Sequence, residues 1–292
     1  MEVLIVTQIL NGITIGLIFA LVAIGLTIVM GLMQVVNFAH GSFYLIGGYV
    51  TFAIVSVTGN FFLGLLAALT ASIIVGAPLF FVIIRPLEER EPLEAMVALI
   101  GVSMIIRQLI RSIWGADPKL LSIPFGRIQM NLFGALLTYP IYFLVVMASA
   151  IAVLLSLYLL LRKTDIGIRC LASIQDRDTA LSLGVNVNRI GAFMFVVGVA
   201  VACLAGGLVG PIFSVYPTMG IELMGLLFVI VIIGGMGSIG GAVIAGLTIA
   251  LTKSISGIFV GGNYSEILAY CILLIILLVR PRGIMGLASV ME

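Results

Sequence analysis

The chain holds one histidine, and the residues beside it are the first whose types invite chemistry. Val35 to Val50 reads VVNFAHGSFYLIGGYV, placing Asn37, His40, Gly41 and Ser42 between two apolar runs. An imidazole can serve as the base of a nucleophile, and an intramembrane hydrolase would be the enzyme to use it. No GxSxG elbow, HExxH pair or paired intramembrane aspartates accompany His40, so catalysis is not expected. No metal site is expected either. What remains is hydrogen bonding: polar groups bracketed by apolar sequence need partners that lipid does not supply. The stretch therefore reads as a helix break between the first two spans, facing protein or water. Gly41, with Gly47 and Gly48, would permit tight turns or close contacts. A helix beginning near Ser42 would point its positive end and free amides at that break, which suits a carboxylate. A plain structural cap or cytoplasmic turn, with His40 bonded to a carbonyl, is the alternative. The expectation is that Asn37, His40, Gly41 and Ser42 line a substrate path or its gate, with His40 orienting backbone rather than acting as a base.

Composition determines what positions such a break. Hydrophobic residues make up 62% of the 292, charged residues only 9%, and the mean hydropathy is +1.34, far outside soluble norms. Val3 to Ile84 contains no Asp, Glu, Lys or Arg. At 1.5 Å per residue that run makes about 123 Å of helix, room for roughly three crossings of a ~30 Å hydrocarbon core. Further charge-free runs, Ile128–Leu161, Ile190–Ile221, Leu223–Thr252 and Ile267–Val279, bring the expectation to eight or nine membrane helices in a single all-α transmembrane domain over residues 1–292. A β-barrel would alternate in polarity, and these runs do not.

The amino-terminal MEVLIVTQIL lacks a basic leader region and reads as the start of the first span. Cys170, Cys203 and Cys271 show no CxxC spacing and read as small core residues. Basic residues set the orientation. Arg162, Lys163, Arg169, Arg177 and Arg189 crowd the segment Leu161 to Ile190, and Arg280 and Arg282 lie in the tail. Both are assigned to the cytoplasm, with four spans between them. Counting back puts the RPLEERE loop, Arg85 to Glu91, on the same side and the amino terminus outside. Lys119 and Arg127 in the predicted outer loop Ser112 to Tyr139, with Arg107 and Arg111 just before it, run against the rule.

The loop over 162–190 reads as a short surface helix with marked ends. Ser173 and Asp176 have the spacing of a cap and its first-turn acid, Ala180, Leu181 and Leu183 are apolar, and Gly184 can end the helix. Two stripes of small residues recur every four positions, Gly198, Ala202, Gly206, Gly210 and Gly234, Ser238, Ala242, Gly246, a pattern that lets backbones approach in lipid. The glycine-dense GGMGSIGG is expected to interrupt its helix. There is no GxxxxGK[ST] phosphate loop, so the chain is not expected to hydrolyse ATP itself. Glu94, Glu222 and Glu266 fall near span ends rather than inside spans, unlike the buried acids of ion-driven carriers.

The loop resembles the cytoplasmic coupling segment of ABC importer permeases, offering Asp178, Thr179 and Ala180 where the usual form opens on Glu-Ala-Ala. NGITIGLIFALVAIGLTIVMGLMQVVNFAHGSFYLIGGY, RCLASIQDRDTALSLGVNVNRI, GGMGSIGGAVIAG and LLVRPRGIMG, in that order, resemble LivH-type permeases of branched-chain amino acid importers. The resemblance implies a multi-pass bacterial or archaeal inner-membrane subunit without its own ATPase site. It implies a second, LivM-like permease, two ATP-binding subunits that hold the ATP, and an extracytoplasmic amino-acid-binding protein as partners. Membrane lipid surrounds the chain, and no nucleic acid is involved. Asp176, Arg177, Asp178, Ala180, Leu181 and Gly184 would then carry ATPase coupling. Permeases for urea or short-chain amides share a similar NxAHG segment and stay open as the substrate alternative.

Overall fold

The structure, a computed structural model, describes residues 2–33, 36–87, 90–122, 125–132, 135–235, 237–280 and 283–285. Glu88, Glu89, Met236, Pro281 and Arg282 lie outside the described residues, as does Gly286 at the end of the LLVRPRGIMG motif. Among the described residues, seven helices are long and apolar enough to cross a membrane and two shorter ones are apolar, matching the expected eight or nine. The charge-free amino-terminal run forms three of them. They are α1 (Glu2–Met33), α2 (His40–Thr58) and α3 (Phe61–Leu79), the last running on through a π turn (Phe80–Ile84) into α4 (Arg85–Leu87). Pro78 inside α3 has no N–H to give the preceding turn, and the wider π turn follows it. Gly59, at φ 66°, ends α2, and the Asn60 side chain caps α3 by accepting from the Leu63 N–H at 3.2 Å.

α5 (Pro92–Trp114) starts with proline in its first turn, where no N–H is needed. A hairpin of β1 (Arg127–Leu132) and β2 (Ala135–Pro140), with Arg127 opposite Pro140, follows in the predicted outer loop. These strands are an addition to the all-α expectation; every span remains helical. α6 (Ile141–Lys163), α7 (Asp165–Gln175) and α8 (Arg177–Ser182) lead to α9 (Val187–Phe213), α10 (Met219–Gly234), α11 (Ile239–Val260) and α12 (Gly262–Val279). The last four are the helices expected between the basic loop and the tail. Glu94, Glu222 and Glu266 sit in or near the first turns of α5, α10 and α12. The Glu222 carboxylate accepts from the Tyr216 hydroxyl at 2.7 Å and the Thr218 hydroxyl at 2.6 Å. Burial, the bond to Glu222 and its charge push Tyr216 up to about 12.

The chain forms two compact units, one of residues Met1–Ala23, Ile123–Ala152 and Leu227–Glu292, the other of Ile24–Ser122 and Val153–Leu226. In the first, Gly12 and Gly16 of α1 lie against Leu251 and Leu247 of α11, and Gly246 of α11 lies against Ala20. The Ser254 hydroxyl donates to the Gln8 carbonyl at 2.6 Å, tying the same two helices. The tail returns here as well, Ile284 N–H to Ile233 O at 2.7 Å and Met285 N–H to Gly234 O at 3.1 Å.

The second small-residue stripe belongs to this unit and is not one face of one helix. Gly235 and Gly237 take φ 96° and 81°, left-handed values that stop α10 and that L residues with a Cβ avoid. Ser238 then caps α11, accepting from Gly241 N–H at 3.1 Å. Gly234 ends α10 and meets Gly241 backbone to backbone, while Ala242 is buried and Gly246 faces α1. The interruption expected from glycine density is present; the single stripe is not.

In the second unit, α2 is sandwiched. A Cβ on Gly47 would collide with the Cys203 backbone of α9, and one on Gly206 with the Tyr44 carbonyl. The Cys203 thiol donates to Phe43 O at 3.1 Å. Phe195 of α9 stacks edge-on to Phe43 of α2 at 5.9 Å and lies 5.7 Å from Phe80 of the π turn. Cys170 and Cys203 are buried as expected of core residues, whereas Cys271 is exposed. Lys119 pairs with Val215 as an antiparallel bridge, tying the loops after α5 and α9.

Candidate functional site

The break after α1 is a tight turn that leads directly into α2. Asn37 Oδ1 accepts from Ala39 N–H at 3.0 Å, the local bond by which asparagine builds turns. His40 N–H donates to Asn37 O at 3.2 Å and Ser42 N–H to Ala39 O at 2.9 Å. Gly41 N–H meets the Met224 sulfur of α10 at 3.1 Å. The helix therefore starts at His40, two residues before the expected Ser42. Its opening amides are already taken, which corrects the expectation of free N–H groups aimed at a carboxylate.

All four expected path residues come together, and all are buried: Asn37 and His40 at 0% exposure, Ser42 at 4%, Gly41 packed on α10. The Ser42 hydroxyl donates to Ser103 of α5 at 3.0 Å. The imidazole lies beside α1 where Gly25 has no side chain. A Cβ there would sit 3.1 Å from His40 Cε1 and 2.9 Å from the Gly198 carbonyl oxygen. Gly41 and Gly220 face each other without room for a Cβ on either. Of the first stripe, Gly206 meets Tyr44 of α2, Gly198 meets Gly25 and Val29 of α1, Gly210 faces Leu121 and Val215, and Ala202 is buried.

Fully buried polar atoms of this unit without a hydrogen-bond partner include Asn37 Nδ2 and Thr27 Oγ1, beside the turn, and the Tyr49 hydroxyl farther along α2. A buried donor left without an acceptor costs roughly 1–3 kcal/mol and asks for an explanation. Sequence reading missed Thr27, Gly25, Ser103, Gly220 and Met224, because each sits alone in apolar sequence and acquires its role only across helices.

The second place of interest is the segment between α6 and α9. Thr164 caps α7 by accepting from Gly167 N–H at 3.2 Å, and Gly167 lies on the Leu160–Leu161 backbone, so the chain turns sharply off the end of α6. This eleven-residue helix was not expected from the sequence. Ser173 is not a cap; it lies within α7, its hydroxyl donating to Arg169 O at 2.8 Å. Asp176 is the cap of α8 rather than its first-turn acid. It is extended, at φ −153°, and accepts from Thr179 N–H at 3.0 Å and from the Thr179 hydroxyl at 2.6 Å. These bonds, the hydroxyl first, hold the Asp176 carboxyl below its ordinary range. Asp178 is the acid of the first turn.

Gly184 ends α8 at φ 80°. Gly184 N–H donates to Leu181 O and Val185 N–H to Ala180 O, both at 3.0 Å, the paired bonds of a Schellman ending. Ala180 is buried under the helix while Leu181 and Leu183 are 50% and 78% exposed, with Arg177 and Asp178 beside them. Burial pushes the Cys170 thiol of α7 up to about 12, so it is an inert packing group. Among the described residues no cluster of His, Cys, Asp or Glu can hold a metal ion.

The profile of the family described as branched-chain amino acid transport system / permease component matches residues 8–277. This chain belongs to that permease family. The permease is 32% identical over 294 residues to the high-affinity branched-chain amino acid transport system permease protein LivH of Escherichia coli (strain K12), spanning 96% of this chain and 94% of that protein. It is 33% identical over 297 residues to the permease protein BraD of Pseudomonas aeruginosa, covering 96% and 95%. To the probable branched-chain amino acid transport permease protein LivH of Methanocaldococcus jannaschii it is 28% identical over 281 residues, covering 91% and 88%. With its apolar helices, this permease is a multi-pass membrane protein.

Proposed function

We propose that this permease is the membrane-spanning subunit of an ABC importer that carries branched-chain amino acids inward across a bacterial or archaeal plasma membrane. The energy comes from ATP on two separate ATP-binding subunits. A second, LivM-like permease completes the path, and an extracytoplasmic binding protein delivers the amino acid. The chain binds no cofactor of its own.

The observation that carries this reading is α8. Six residues are held as a helix by a carboxylate cap at one end and a left-handed glycine at the other, and they present Leu181 and Leu183 to solvent between two spans. A short helix is marginal alone, so its fixed ends and exposed leucines fit a docking knob. The α7–α8 elbow hands movement of a bound ATPase to α6 and α9. α9 in turn carries α2 and the Asn37–Ser42 turn, which acts as the gate of the path. Asn37 Nδ2 and Thr27 Oγ1 find acceptors when the helices re-pack.

The test is a Leu181→Asp/Leu183→Asp variant of the assembled transporter. The ATP-binding subunits should no longer co-purify, while the second permease stays bound. Retention of the ATP-binding subunits at wild-type stoichiometry would refute the docking role.

A further inference from the structure

A groove of about 590 Å³ runs between the end of the α3 span and the start of α9, within one unit, and none of the residues discussed above as gate or coupling helix lines it. Its lining changes character along its length. One end holds Arg85, Asn186, Asn188 and Arg189. The rest is apolar, with Ala77 and Phe81 from one helix and Phe193 and Val196 from the other. The order follows from helical spacing. Ala77, Phe81 and Arg85 recur every four residues on one face, and Arg189, Phe193 and Val196, spaced four and three apart, share one face of a helix that begins where the other ends. From Arg85 to Ala77 the groove follows about 12 Å of helix.

Among the described residues no carboxylate lines the groove, and neither arginine makes an ion pair with a described residue. The Asn186 side chain accepts from Arg189 N–H at 3.1 Å, capping α9, so the positive end of a 27-residue helix adds to the two guanidiniums. Phe81 and Phe193 are 55% and 42% exposed at the apolar end. Both belong to membrane-spanning helices, and the basic end belongs to the side assigned to the cytoplasm. The polarity of the groove therefore runs along the spans, from charged terminus to hydrocarbon depth.

We propose that this groove is a binding site for one anionic phospholipid of the cytoplasmic leaflet. Arg85 and Arg189 hold the headgroup phosphate, Asn186 and Asn188 offer amide N–H donors to its remaining oxygens, and one acyl chain lies on Phe81, Phe193 and Val196. Paired arginines suit a phosphate better than a single lysine does, because the guanidinium fork can bond two of its oxygens. A peptide segment from a partner would match the apolar end but would leave two cations buried unless it carried acids of its own. A phospholipid supplies the charge and the chain together. The site lies directly before the α9 turn that follows α8, so lipid occupancy would stiffen the base of the coupling elbow.

The experiment uses the whole transporter purified in mild detergent and exposed to phosphatidylglycerol or phosphatidylcholine of matched acyl chains, with bound lipid counted by native mass spectrometry. Wild type should retain phosphatidylglycerol in preference to phosphatidylcholine. Arg85→Gln/Arg189→Gln should bind it about thirtyfold more weakly, the sum expected for two basic groups at a membrane surface. Arg162→Gln/Lys163→Gln, which removes two charges at the end of α6 outside the groove, should bind as wild type does.

A Phe193→Trp variant keeps both arginines and reports the same site. Its added fluorescence should be quenched more by brominated phosphatidylglycerol than by brominated phosphatidylcholine. Equal retention by the Arg85/Arg189 variant, equal loss in the Arg162/Lys163 control, or quenching blind to the headgroup would overturn the proposal. So would a Phe193→Cys cross-link to an ATP-binding subunit or to the second permease, which would make the groove a protein interface.

Discussion

Gly41 at the start of α2 and Gly220 at the start of α10 touch backbone to backbone: a Cβ on either would collide with the other's carbonyl. Two helix beginnings are thereby locked together beside Asn37 and His40.

A methyl group has nowhere to go at this contact. Gly41→Ala or Gly220→Ala should cost about 1–3 kcal/mol of packing free energy, the usual penalty of overfilling a tight site. Gly101 of α5 faces open space, and Gly101→Ala should leave the melting temperature of the purified complex within a degree or two. Equal melting temperatures for all three variants would refute the backbone contact.

The same reasoning applies to the small-residue positions. Gly206→Leu and Ala242→Leu should reduce assembly or uptake strongly, because Gly206 meets the Tyr44 carbonyl and Ala242 is buried. Gly101→Leu should be tolerated. Quantifying assembled complex by size-exclusion chromatography checks the order; equal tolerance would mean that both positions face lipid.

Much of this was legible in advance, for reasons that differ by residue. Spans were legible because a charge-free run of known length has few solutions in a bilayer. The end of α8 was legible because only a residue like Gly184 adopts φ 80° without strain. Its cap was misplaced by three residues, since Ser173 and Asp176 are both good caps and only the Thr179 bonds decide between them. α7 was missed because its surface is mixed, with Ile166 and Ile168 exposed. The β1–β2 hairpin was missed because its residues continue the apolar run into α6. The partners of His40 and Gly41 were beyond reach: Gly25, Gly220 and Met224 become neighbours only through α1 and α10 packing.

His40, the first residue of α2, is fully buried with its ring beside Gly25 of α1, so shape and hydrogen bonding matter there more than proton exchange. His40→Gln should keep much of the uptake with an unchanged pH profile, whereas His40→Leu should impair folding or transport. Uptake into proteoliposomes across pH 6 to 8 is the measurement. A His40→Gln variant that loses a pH dependence present in wild type would assign His40 a proton.

At Asp176 the charged form is the stabilising one, since the Thr179 bonds lower its folded value below the ordinary 3.8. Its contribution is therefore complete above about pH 4 and is lost as pH falls through the folded value. Coupling should show no Asp176-dependent change near neutrality. Asp176→Asn, which keeps an acceptor for Thr179 N–H, should retain more substrate-stimulated ATPase than Asp176→Ala. Identical ATPase for the two variants, or a neutral-pH shift in either, would contradict the cap.

Gly184→Val places a β-branched residue at φ 80°, costing about 1–2 kcal/mol of backbone strain at the end of a six-residue helix. Substrate-stimulated ATPase and uptake should both fall while the complex stays assembled or weakens. Full uptake at normal expression would remove α8 from the coupling route.

The central claim is tested most directly by reconstituting this permease with its partner permease, both ATP-binding subunits and the binding protein in liposomes, then following radiolabelled leucine. The account predicts accumulation that requires ATP on the side of the ATP-binding subunits, competed by isoleucine and valine and untouched by urea. Leucine movement independent of ATP, or ATP-driven uptake of urea with none of leucine, would contradict it.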